Sequence, residues 1–215
     1  MIHNYLEAVE SVVKRLFEAR ADYYEIINEL FKDSMPPIFV HNRNNPKEVV
    51  ARDHAAWLEQ KHIKLKKEKS DAAIENLTNE QFALSIIDGS LLQIACKGIE
   101  LYSENDQNTS PLPNLSDKAC KFSVGEKIRE IPAGLIIYAG RNHYNHLEDG
   151  ERLRKPTKEI INLLNVNYQK YKPNILFDFD TYNELPRNLT TSFIGILGWE
   201  NSIDFRETLM SINEI

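Results

Sequence analysis

With 215 residues, the chain is long enough for one sizeable core, or for one domain with a large appendage. Hydrophobic residues make up 42% and charged residues 27%, the balance of an ordinary globular protein, and only eight glycines argue against a Gly-rich β architecture. A net charge of −6 excludes global attraction to a polyanion, so any nucleic-acid contact has to come from a local basic patch.

The chain begins MIHNYLEAVE, acidic and amphipathic, without the basic-then-apolar pattern of a secretory leader. No apolar run approaches the ~20 residues of a membrane helix, so no membrane association is expected. From about Asn4 to Lys32, the residues Leu6, Val9, Val13, Leu16, Tyr23, Ile27 and Leu30 recur in steps of three and four, interrupted only at Arg20. That spacing predicts one long amphipathic helix, ended by Asp33-Ser34-Met35-Pro36-Pro37. Ile38-Phe39-Val40 reads as a short strand or a packed loop. Asn45-Pro46, with Glu48 behind it, starts a second helix expected to reach about Lys69. Its end carries the one basic cluster of the chain, including Lys64, Lys66 and Lys67. Two readings stand for it: lysines that suit the negative end of a helix dipole, or a patch that contacts RNA phosphates.

Thr78-x-x-Gln81 has the form of a capping box and predicts a helix running to about Tyr102, apolar over most of its circumference and therefore central. Gly89 and Gly98 permit close backbone approach within it. Asp88 is the exception, a carboxylate among apolar neighbours. Either it lies on an exposed edge, or it is buried and orients Arg141 or a nearby histidine. Residues 103–117 read as a polar, flexible connection. Pro132 opens a motif helix, Pro156-Thr157 opens another to about Tyr168, Ile175–Asp180 reads as an edge strand or turn, and Pro186 and Ser202 open two short final helices. The sum is an all-α chain in which the long helices form an antiparallel bundle. Cys96 and Cys120 read as two unpaired thiols of a cytoplasmic protein.

The motif helix holds an apolar run, Leu135 to Ala139, followed at once by Arg141-Asn142-His143-Tyr144-Asn145-His146. A cation, two amides and two imidazoles are costly to bury and unnecessary on a solvated face, so they mark a site. On an ideal helix Asn142 and His146 share a face, while Arg141 and His146 stand about 140° apart. A two-fold dimer with this helix at its axis would bring one protomer's Arg141 to the other's His146. Such a set suits cleavage of RNA by its own 2′-OH. A neutral imidazole takes the hydroxyl proton, and a guanidinium stabilises charge on the phosphoryl oxygens, with the amide holding the phosphate or the imidazole.

Arg141-Asn142-x-x-x-His146, at the end of an apolar helix in an all-α chain, resembles the signature of the HEPN superfamily. The resemblance implies an HEPN-like antiparallel helical bundle, with 1–150 as the bundle and 151–215 as extra C-terminal helices of one domain spanning 1–215. It implies a homodimer with a composite active site, and a metal-independent endoribonuclease in a toxin, phage-defence or stress-response role, needing no cofactor. Arg141, His146 and Asn142 would then be catalytic, supported by His143, Asn145 and Asp88. An antitoxin or regulatory protein is a further expected partner. Glu148 stands where members paired with a nucleotidyltransferase antitoxin often have Tyr.

His143 and His146, with Glu148 and Asp149 close by, raise a metal site, but the fuller ligand motifs are missing and none is expected. The competing reading is a non-catalytic helical dimerisation or protein-interaction module, in which the polar residues bridge an interface.

Overall fold

The computed structural model describes residues 2–113, 115–146, 155–171 and 189–212. Among them stand α1 (Ile2–Asp33), α2 (Lys47–Leu58), α3 (Lys61–Tyr102), α4 (Asp117–Cys120), β1 (Lys127–Ile128), β2 (Ile131–Pro132), α5 (Ala133–Asn145), α6 (Lys155–Tyr171), α7 (Thr190–Ile196) and α8 (Ser202–Ser211). The protein is all-α, and among the described residues there is one small antiparallel hairpin. Its contacts divide the chain into two compact units, one of Met1–Arg20 with Leu84–Ile215 and the other of Ala21–Ala83. The division falls inside α1 and α3, and α6 to α8 belong to the same unit as the motif helix α5.

In the first unit the helices are held by apolar faces with helical spacing. α3 contributes Leu91, Leu92, Ala95, Cys96 and Ile99, α5 contributes Leu135, Ile136, Ile137 and Ala139, and α6 contributes Ile160, Ile161 and Leu164, each at most 2% exposed. Phe193 and Ile194 of α7 join them, with Trp199, Phe205 and Leu209 around α8. Each buried Leu, Ile or Phe among them stabilises the fold by about 1.5–3 kcal/mol relative to exposure. α3 is not apolar all round: Ile86 and Leu101 are exposed, and its buried face includes Ser85 and Asp88. It is the one described helix long and apolar enough to cross a bilayer by length and composition, yet 56% of that window is buried inside the protein, as in a core helix.

The hairpin sets the start of α5. Its turn puts Arg129 at φ 50° and Glu130 at φ 69°, and Pro132 is the N-cap residue, one place before the helix proper. The first amides of α5 would be orphaned by helix geometry, and loop carbonyls receive them: Ala133 N–H donates to Glu126 O at 2.9 Å and Gly134 N–H to Val124 O at 3.0 Å. The preceding connection, expected to be flexible, is fastened. Ser103 Oγ donates to Lys121 O at 2.7 Å, Thr109 Oγ1 to Ser123 O at 2.8 Å, and Leu112 is buried. At the other end of the unit, α8 starts with a capping box between Asn201 and Asp204.

The second unit corrects two boundaries. α2 stops at Leu58, and α3 begins at Lys61 and runs without a break through Thr78 and Gln81. Nothing between Ser70 and Leu77 breaks a helix, so there are no orphan amides for a box to cap, and Thr78 Oγ1 instead donates to Ile74 O at 3.2 Å. Lys64, Lys66 and Lys67 therefore lie near the N-terminal end of a helix, where the dipole opposes them. Lys69 reaches Asp33 at 2.8 Å and Ser70 Oγ donates to Ser34 O at 2.7 Å, which ties the end of α1 to α3. Ile38-Phe39-Val40 is not a strand: Phe39 packs on His54 and Trp57, while Ile38 and Val40 are more than 80% exposed. Ile175–Asp180 and Pro186 lie outside the described residues.

Candidate functional site

The last two turns of α5 carry the polar run, and the neighbouring helices decide which member does what. Gly140 has no side chain because Leu92 of α3 and Phe193 of α7 close on it, and a Cβ there would meet them at 2.9–3.0 Å. Tyr144 lies across Gly89, where a Cβ would come within 2.6 Å of its ring. Tyr144 is thus a packing residue, and the glycine admits it. These contacts seat α5 against α3 and fix the direction of everything that follows.

Arg141 is half-buried. Its Nε donates to Gln93 Oε1 of α3 at 3.2 Å and its Nη1 to Asn142 Oδ1 at 3.2 Å. Gln93 uses its other amide atom as well, with Nε2 donating to Asn145 Oδ1. One glutamine therefore gathers Arg141 and Asn145, and Asn142 completes the set. Among the described residues Arg141 has no carboxylate partner, so two neutral amides orient its charge and nothing cancels it. Sequence reasoning missed Gln93, since a half-buried glutamine in an apolar helix shows no motif. Asn142 was expected to hold phosphate or the imidazole. In this structure it holds Arg141.

His146 follows as the C-cap of α5, half-buried, with φ −113° and its N–H donating to His143 O at 3.3 Å. Its backbone has left the helix, so the ideal 140° separation from Arg141 does not describe this pair. His143 is buried. Its Nε2 accepts the amide N–H of Leu189 at 3.0 Å, just ahead of α7, and its ring lies 6.2 Å from that of Phe193. An accepting Nε2 has no proton, so His143 is neutral in this arrangement and ties α5 to the start of α7.

Asp88 also needs correcting. It is fully buried, and its Oδ1 accepts from Arg20 Nε at 2.8 Å, so it is neither on an exposed edge nor the orienter of Arg141 or a histidine. Burial pushes its carboxyl above the usual range, against the pull of Arg20 and of a hydrogen bond from Thr191. Arg20, which broke the apolar stripe of α1 in the sequence, lies on the buried face because it serves this carboxylate. Burial likewise pushes the Cys96 thiol up to about 11, with the Arg141 charge acting against it.

Lys64, Lys66 and Lys67 are exposed and belong to the second unit, and Lys64 pairs with Glu59 at 2.6 Å. Among the described residues no group of three or more His, Cys, Asp or Glu could hold a metal ion; Glu148 and Asp149 lie outside them. A groove between α1 and α8, lined by Leu6, Val9, Val13, Ile203 and Phe205 among others, contains no motif residue. Compared with protein-family models, with curated proteins and with solved structures, the chain matches none.

Proposed function

We propose that this protein is a metal-independent endoribonuclease of the HEPN type, in which Arg141 and His146 act on one phosphodiester. The observation that carries the proposal is the state of Arg141. Arg20, the buried arginine of α1, is answered by a carboxylate, whereas Arg141 is aimed by the neutral amides of Gln93 and Asn142. A guanidinium held in place with its charge intact is what an incoming phosphate needs. His146, at the cap of the same helix, is the base that takes the ribose 2′-OH proton. Attack of the 2′ oxygen on phosphorus then expels the 5′ oxygen and leaves a 2′,3′-cyclic phosphate, which DNA cannot form.

In this reading a homodimer brings the two Arg141/His146 sets together, Asn142 and Asn145 position the guanidinium and Gln93, and the protein works in the cytoplasm in a defence, toxin or stress role under a regulatory partner. Lys64, Lys66 and Lys67 are its RNA-contacting lysines. The test is cleavage of a single-stranded RNA in EDTA, with end-group analysis. Cyclic phosphate ends are expected from the native chain and not from Arg141→Ala or His146→Ala. The alternative, a helical interaction module, predicts no cleavage and a loss of association from the same substitutions.

A further inference from the structure

Four aromatic rings gather in the second unit, Ala21–Ala83, outside any buried core. Phe39 stands 5.0 Å from the ring of His54, 5.3 Å from that of Trp57 and 6.0 Å from that of His41. His54 in turn stacks on Trp57 at 5.7 Å, with 23° between their planes. None of the four is buried: His41 and His54 are exposed, and Phe39 and Trp57 are half-buried. The helix α2, which carries His54 and Trp57 one turn apart, has no buried residue. A cluster built only to fill space would use the aliphatic neighbours of Phe39. Ile38 and Val40 are instead turned to solvent, 81% and 84% exposed, and two imidazoles sit against the phenyl ring. The rings touch one another and still keep surface open to water.

The charge around these rings is opposite in sign to that of the chain. Residues 39–67 hold seven Lys and Arg against three Asp and Glu, whereas the whole protein has a net charge of −6. Arg43 follows His41 by two residues, and Lys47 opens α2. Lys61 opens α3 four residues beyond Trp57, with Lys66 and Lys67 on the turn after it. These five make no ion pair among the described residues, unlike Arg52 and Lys64, which pair with Asp53 and Glu59.

We infer that the ring cluster of Phe39, His41, His54 and Trp57 is a base-stacking platform for single-stranded RNA, with the unpaired cations that flank it in sequence taking the phosphates. Every base has a π-face, so unstacked bases can lie on open aromatic surface while the backbone meets positive charge. A duplex keeps its bases stacked on one another and gives the rings nothing to hold. An acidic protein would satisfy the cations and leave the rings idle. The inference rests on the ribonuclease reading for its choice of RNA over other single strands; the rings and cations themselves are independent of Arg141 and His146.

The experiment titrates the full-length protein, at low salt, with a 2′-O-methyl oligouridylate of about ten nucleotides, which has no free 2′-OH and stays intact. Tryptophan fluorescence reads the platform directly, because the chain has two tryptophans and the other, Trp199, is 1% exposed. Saturable quenching is expected, and an abasic strand of the same length and charge should bind at least about tenfold more weakly. That comparison needs no variant. His41→Ala with His54→Ala, both at exposed positions, should weaken binding of the oligouridylate by about tenfold, with helicity unchanged by circular dichroism. Absence of quenching, equal affinity for the two strands, or a helical double variant that binds like the native chain would each overturn the inference. So would polyglutamate that binds as tightly as the oligouridylate, which would assign the cations to an acidic protein. Binding of this kind without cleavage of ordinary RNA removes the ribonuclease reading and leaves the platform as a site for single strands. Cleavage dependent on Arg141 and His146 without quenching removes the platform alone.

Discussion

Arg141 and Gln93, 48 residues apart in sequence, meet at 3.2 Å between α5 and α3, and the same glutamine holds Asn145. Gln93 is therefore a positioning residue for the proposed site. Gln93→Glu would place a carboxylate on the guanidinium and cancel the charge that the proposed mechanism offers to phosphate. Single-turnover RNA cleavage is expected to fall by about tenfold or more, in line with the sensitivity of reactions to small misplacements, while the thermal midpoint stays the same or rises. Gln93→Ala should slow cleavage with helicity unchanged. Native rates from both variants would remove Gln93 from the site.

Asp88 and Arg20 make a buried pair whose partners depend on each other. Arg20→Met leaves a fully buried carboxylate without its cation, and a loss of about 3–5 kcal/mol is expected from breaking such a pair. Urea unfolding at neutral pH measures it. A change below 1 kcal/mol would mean that the pair is solvated in solution.

The same carboxyl sets a pH dependence. Burial raises it in the folded state, so between its ordinary value and the raised one the folded chain keeps a proton that the unfolded chain has released. Its contribution to stability is then complete below the ordinary carboxylate range and is lost as pH rises through the raised value. Urea midpoints from pH 4 upward should show a downward component that Asp88→Asn lacks. A component of opposite sign would mean that Arg20 outweighs burial.

Gly134 is the tightest point in the entry to α5, since a Cβ there would stand 2.5 Å from Phe122 O and 3.1 Å from Val124 O. Backbone carbonyls cannot swing aside as a side chain can. Gly134→Ala is expected to cost about 1–3 kcal/mol and to lower the melting temperature by several degrees, measured by thermal unfolding.

Arg129 and Glu130 both sit at positive φ in a two-residue turn that favours Asn-Gly. Arg129→Asn with Glu130→Gly should relieve strain of about 1 kcal/mol or more and raise the melting temperature. No gain would mean that the native side chains hold the turn by contacts of their own.

The helical class and the long first helix were legible because their information is local: a repeat of three and four residues needs no partner to be recognised. What stayed hidden was pairing. Arg20 read as a gap in a stripe and Asp88 as an oddity, and each becomes intelligible only beside the other across 68 residues. The α3 boundary failed for a related reason, since Thr78-x-x-Gln81 is a cap only where a helix begins, and the preceding residues let the helix continue. Within the motif, Arg141, Asn142 and His146 were visible as residue types. The division of labour was not, because His143 is claimed by the amide of Leu189, and Gln93, which aims Arg141, carries no signature.

The most direct test of the central claim is the fate of one labelled RNA strand incubated with the pure protein in excess EDTA. Cleavage leaving cyclic phosphate ends, abolished by His146→Ala and by Arg141→Ala in proteins of native helicity, is the result expected. Intact RNA with the native protein, or cutting that survives both substitutions, would contradict it.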